Sequence, residues 1–166
     1  MKKIFVMSII SFLFFVNVFP VRLIYGIENN ILKLQIGNKM MYVNDVPQEV
    51  DVPPIIVGTK VFVPLRYIVE PLGATITWND AEKKAAVCLK GTLIELCSGS
   101  RVIVVIKKDK LWYFKPLTVP FLIIKGRIMV PVEFVENLNC IWKYDGRSGI
   151  ITILSKRKSP QRLRLN

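Results

Sequence analysis

The chain has 166 residues, 52% of them hydrophobic, with 24 Lys plus Arg against 12 Asp plus Glu, for a net charge of +12. It contains no histidine and only three cysteines, which removes the commonest general base and the commonest copper or zinc ligand and argues against a disulfide scaffold. The positive balance favours polyanionic partners through long-range attraction, or serves solubility alone.

Residues 1–26 read as a signal peptide. Lys2 and Lys3 form a basic start, Ile4 to Phe19 is an apolar run of about 16 residues, and Gly26 offers a cleavage point before Glu28. The run is short for a membrane span, so cleavage is expected; an uncleaved N-terminal membrane anchor is the alternative. Removing Lys2, Lys3 and Arg22 leaves 21 cations against 12 acids, or +9.

Beyond the signal, Leu32, Leu34 and Ile36 alternate with polar residues, the period of a strand with one buried face. Gly37-Asn38 and then Asn44-Asp45 turn the chain. Pro53-Pro54 excludes a central strand and marks an edge or crossover. Val61 to Val63 leads into a helix that begins at Pro64, which suits a first helical position. Leu65, Ile68, Val69 and Leu72 share one face of that helix, and Arg66 and Glu70 can pair across one turn on another. Pro71 predicts a helix shortened or kinked near Glu70, and Gly73 is placed to end it in a left-handed conformation. Thr75 to Trp78 and Ala85 to Leu89 then form a hairpin, with Trp78 packed on the helix.

The chain next says much the same again. GTKVFVPLRYIVEPLGATITW from Gly58 is echoed by GRIMVPVEFVENLNCIW from Gly126, so Pro131 answers Pro64 and Trp142 answers Trp78. A hairpin around Asp145-Gly146 ends in an apolar strand up to Leu154. The organisation expected is a first unit at 31–89, a second and degenerate one at 92–154, and a basic disordered tail at 155–166. The fold class expected is α+β: a tandem repeat of a small antiparallel β-sheet curled over one short α-helix.

The first copy, with its VNDV turn and DVPP step before VPLRYIVEPLGATITW, resembles the copper amine oxidase N-terminal domain-like family, a stalk module found in tandem on exported bacterial proteins. The resemblance covers nearly the whole chain after the signal. It implies the same α+β architecture and assigns the spaced motif to Pro64, Arg66, Glu70, Gly73 and Trp78, with Pro131 and Trp142 in the second copy. That copy departs at Glu133 and Asn139 and has gaps before Trp142. The resemblance implies no catalysis, since amine oxidation belongs to a separate and larger domain with histidine ligands.

No site for catalysis, a cofactor or a metal emerges from the residues. GxSxG, Walker, GxGxxG and paired CxxC patterns are missing, and Ser155 with Lys158 spells S-x-x-K only within the basic tail. Cys140 fits a small buried position matching Ala74, whereas Cys88 and Cys97 flank the junction and would bond only if their strands align. Lys107, Lys108, Asp109 and Lys110 sit at a predicted hairpin tip, beside Trp112, Tyr113 and Phe114. These aromatics are either core, the reading favoured here, or a surface for sugars or a partner protein.

Lys156, Arg157, Lys158, Arg162 and Arg164 in the tail are the candidate polyanion-binding residues. The functional expectation is a secreted, non-catalytic cell-envelope module that binds or positions a component: a wall polymer, an anionic membrane surface or an envelope protein. Nucleic acid is opposed by the signal segment. A secreted enzyme inhibitor, or an enzyme with an unrecognised site, is the alternative.

Overall fold

The computed structural model of the chain describes residues 30–109 and 111–155; the signal segment and the five tail cations lie outside them. Fourteen short strands build three antiparallel sheets, with one short α-helix, so the class is α+β and mostly β. Strands β1 (Ile31–Gln35), β2 (Met40–Val43) and β3 (Val46–Glu49) form a meander turned at Asn44 and Asp45, both at positive φ. Strands β4 (Ile55–Val57) and β5 (Lys60–Pro64) form a hairpin that runs into helix α1 (Leu65–Val69). A 3-10 turn, Glu70–Leu72, follows, and then the hairpin of β6 (Thr75–Asn79) and β7 (Lys84–Leu89).

The second half runs similarly through β8 (Thr92–Cys97), β9 (Val102–Ile106), β10 (Trp112–Pro116), β11 (Leu122–Ile124) and β12 (Arg127–Pro131). A 3-10 helix, Val132–Leu138, leads to β13 (Cys140–Asp145) and β14 (Ile150–Ser155).

No sheet is confined to residues 31–89 or to 92–154. One five-stranded sheet has the order β13-β14-β1-β2-β3, another β10-β9-β8-β7-β6, and a four-stranded sheet β11-β12-β5-β4 joins the halves through Val130 opposite Val63. The strand that opens the described chain pairs with the one that closes it, from Ile31 opposite Leu154 to Gln35 opposite Ile150. One core lies between these sheets, containing Leu32, Leu34, Ile68, Val87, Ile94, Phe134, Ile151 and Ile153. A smaller cluster of Val52, Phe62 and Met129 covers the other face of the central sheet.

Local chemistry explains the joints. Pro64 has extended backbone, φ −70° and ψ 117°, and is the N-cap and last residue of β5, not the first helical residue. α1 gives way to a 3-10 turn at Glu70, where Pro71 removes the donor that another α turn needs, as the sequence predicts. Gly73, at φ 80°, ends that turn, and Asn139, at φ 59°, ends its counterpart. Asparagine is among the few side chains that tolerate this region.

Three expectations are corrected by the sheets. Trp78 is 38% exposed: it stands on edge strand β6, opposite Ala85, rather than sealing sheet to helix. Trp142 is not its equivalent. Three residues past Asn139, Trp142 faces Ile153, as Ile76, three past Gly73, faces Val87; Tyr144 holds the rung that corresponds to Trp78. Ser155 belongs to β14 and not to the tail, because its backbone N–H donates to the Asn30 carbonyl and its hydroxyl accepts from the Asn30 N–H. Cys88 and Cys97 lie opposite Leu93 and Lys84, so their strands do align but in a register that keeps them unbonded.

Truncating the fully buried Phe134 to alanine is therefore expected to cost about 3–5 kcal/mol. Trp78→Ala, which loses only part of a burial term, should cost about 1–2 kcal/mol. Urea denaturation of the two variants checks the order; a larger loss at Trp78 would contradict its edge position.

Candidate functional site

A cleft of about 630 Å³ opens where α1, the β6–β7 hairpin and the β11–β12 hairpin meet. Tyr67 comes from α1 and Trp78 from β6, because the alternation that puts Ile76 toward the core carries Trp78 to the same side at the sheet margin. Ile76 and Ile128 give it an apolar floor, and Arg66, Lys83 and Arg127 bring three cations to its walls.

Each cation has an acid beside it. Arg127 Nε donates to Asp51 Oδ2 at 2.5 Å, Lys83 Nζ to Asp80 Oδ1 at 2.8 Å, and Arg66 lies 3.8 Å from Glu70, the pair predicted from their spacing. Trp78 Nε1 also donates to Asp80, at 3.3 Å, which fixes the indole plane along the cleft. Burial pushes the Asp51 carboxyl up, but the hydrogen bond and charge of Arg127, helped by the Tyr67 hydroxyl, outweigh this and hold it below the usual carboxylate range. Asp80 is held low by its hydrogen bonds from Lys83 and Trp78.

Of the motif residues, Pro64, Arg66 and Trp78 line this cleft; Glu70 reaches it only through Arg66. Gly73, Pro131 and Trp142 are structural, with Trp142 Nε1 donating to Glu136 at 3.1 Å. Glu133, which stands where the resemblance carries arginine, is instead a brace: it accepts from Lys60 at 3.2 Å and from the Thr118 hydroxyl. Its burial is offset by these bonds, so its carboxyl too is held low. Lys83, Asp80 and Arg127 are cleft residues that sequence reading missed, as it missed the pairing of Arg127 with Asp51 outside the lining. Only Lys83 and Asp80 had a local signal, their turn; Arg127 and Asp51 meet across 76 positions.

The aromatic run is a further correction. Trp112 and Phe114 are 60% and 63% exposed, and Tyr113 is exposed with Lys107 Nζ 5.5 Å from its ring centre. They are not core, because β10 is the last strand of its sheet and its aromatic side chains stay exposed among the described residues.

A model of the copper amine oxidase N-terminal domain family matches residues 42–153. The chain belongs to that family. Its name raises the question of copper, and the donor set does not fit: the sequence has no histidine, and no group of three or more Cys, Asp and Glu gathers among the described residues. The family's domain is typically a non-catalytic module. No curated protein and no solved structure matches this member.

Two measurements follow. Protein equilibrated with Cu(II) and then desalted should retain well under one equivalent; a stoichiometric, EPR-visible copper would refute this. The second concerns pH. Because Asp51 is held below its ordinary value near 3.8, its pair with Arg127 stabilises the fold above that value and is lost as pH falls through the depressed one. Asp51→Asn should therefore lower the melting temperature at neutral pH, and the difference from wild type should vanish in acid.

Proposed function

We propose that the protein is an exported, non-catalytic module of a bacterial cell envelope that binds or positions an envelope component, an extended anionic wall polymer being the best fit to the cleft. The observation that carries this reading is the make-up of the cleft: an exposed indole, an apolar floor and three cations along an open trough. Such a lining suits stacking and charge-assisted hydrogen bonding along a chain-like ligand. Proton-transfer chemistry has no support there, since Asp80 in the cleft wall is held low by Lys83 and Trp78, and the chain has no histidine to serve as base.

The same reading takes the two halves as copies of one ancestral unit. It is supported by the matching order of elements and the paired left-handed residues Gly73 and Asn139. On that view the cleft was kept in one half only. The counterpart of Arg66 is Glu133, whose engagement with Lys60 and Thr118 replaces a cleft cation by a neutralised acid.

The tail cations Lys156, Arg157, Lys158, Arg162 and Arg164 follow β14 in the sequence and would add electrostatic retention. Sedimentation with purified wall polymer tests both parts. Trp78→Ser with Arg127→Ala should weaken binding about tenfold at about 50 and at 500 mM salt, whereas deleting residues 156–166 should matter only at the lower salt, where screening is weak. Binding indifferent to both changes would refute the proposal. The tail deletion should leave the melting temperature unchanged.

A further inference from the structure

The outer face of the β6-to-β10 sheet is largely apolar, and among the described residues its side chains are half-buried or exposed. Its register sets Trp112, Ile106, Leu93, Cys88 and Thr75 in one row across the strands, and Phe114, Val104, Glu95, Ala86 and Thr77 in the next. Glu95, the acid in these rows, is held by Lys84 at 3.7 Å. The architecture does not require such a face. On the other five-stranded sheet an outer row reads Tyr42, Lys33, Thr152, Lys143, with both lysines exposed.

Cations surround one corner of this apolar face. The β9–β10 turn brings Lys107 and Lys108 to the end of the strand that carries Trp112, the Lys107 ammonium lying over Tyr113 on the opposite face, and Leu111 in the same turn is 56% exposed. The β7–β8 turn lies against the same corner, since a Cβ built on Gly91 would fall 2.7 Å from Lys108 Cγ; its Lys90 is exposed as well. Asp109 is the acid of that corner and accepts a hydrogen bond from the Leu111 backbone at 3.3 Å.

We propose that this corner, with Trp112, Phe114 and Leu111 beside Lys90, Lys107 and Lys108, docks on an anionic lipid bilayer. Exposed indole and phenyl rings favour the boundary between headgroups and acyl chains, and lysines at the same level are attracted to anionic headgroups. A second copy of the chain is the poorer occupant, because a net charge of +12 repels its own kind while it attracts a negative surface. The inference rests on the envelope location proposed above and adds a surface distinct from the cleft.

The test uses the full chain carrying Trp78→Phe and Trp142→Phe, which leaves Trp112 as the single indole of the original three. It is mixed with phosphatidylglycerol-phosphatidylcholine vesicles bearing brominated acyl chains, or with phosphatidylcholine alone. Trp112 emission should shift to the blue and be quenched in the anionic vesicles, and Lys107→Glu with Lys108→Glu should reduce that quenching about tenfold. In the otherwise unaltered chain, Trp112→Ser with Phe114→Ser should keep the wild-type melting temperature, since both side chains are exposed, and should lose lipid-dependent protection of Lys90, Lys107 and Lys108 from amine labelling.

Trp112 emission unchanged by anionic vesicles would overturn the proposal. So would a dimer in sedimentation velocity that Trp112→Ser dissolves. The two readings fail separately: a silent Trp112 with cleft-dependent polymer binding removes only the docking surface, and a quenched Trp112 with no polymer binding removes only the cleft ligand.

Discussion

The structure depends on the pairing of β1 with β14. Five residue pairs, from Ile31 with Leu154 to Gln35 with Ile150, join strands at the two ends of the described chain and so complete the first five-stranded sheet. Leu32, Leu34, Ile151 and Ile153, all buried, meet across that ladder and form a large part of the core. Closing so long a loop costs chain entropy, and the return is realised only when both halves have formed. The same pairing extends to Ser155, which is tied to Asn30.

Because each five-stranded sheet takes strands from both halves, the central pairing of β5 with β12 sits at their junction. That places the β11–β12 turn of the second half over α1 and β6 of the first. Arg127 can then reach Asp51, and the cleft exists as a consequence. Its electrostatics follow from the same geometry: three cations each balanced by a nearby acid, which leaves the wall polar and charged but not strongly repulsive. Exposed pairs of this kind contribute little to stability, and their effect is to hold the side chains of the cleft wall in place.

The two surfaces put forward for binding differ in what they offer. The cleft presents one indole held by Asp80 and cations at fixed positions, which suits a chain-like ligand with anionic groups. The β10 corner presents two exposed rings meeting edge to face, 5.4 Å between centres, with lysines at their rim, which suits a soft and laterally uniform surface. Each arises where a strand ends a sheet. Trp78 is on β6 and Trp112 on β10, the two edges of the same five strands.

The sequence alone determined the local elements. Alternation in Leu32 to Ile36, the Asn44-Asp45 turn, the stop imposed by Pro71 and the left-handed Gly73 are decided within a few residues by sterics and hydrogen-bond supply, and each holds in the structure. Cys140 was legible as a buried filler from its match to Ala74, and both are buried. Which strands neighbour which was decided only by tertiary structure, because every half-buried strand offers the same backbone ladder to any partner. That choice makes Trp78 and Trp112 edge residues instead of core, sets Cys88 and Cys97 out of register, and brings Asp51 to Arg127 across most of the fold.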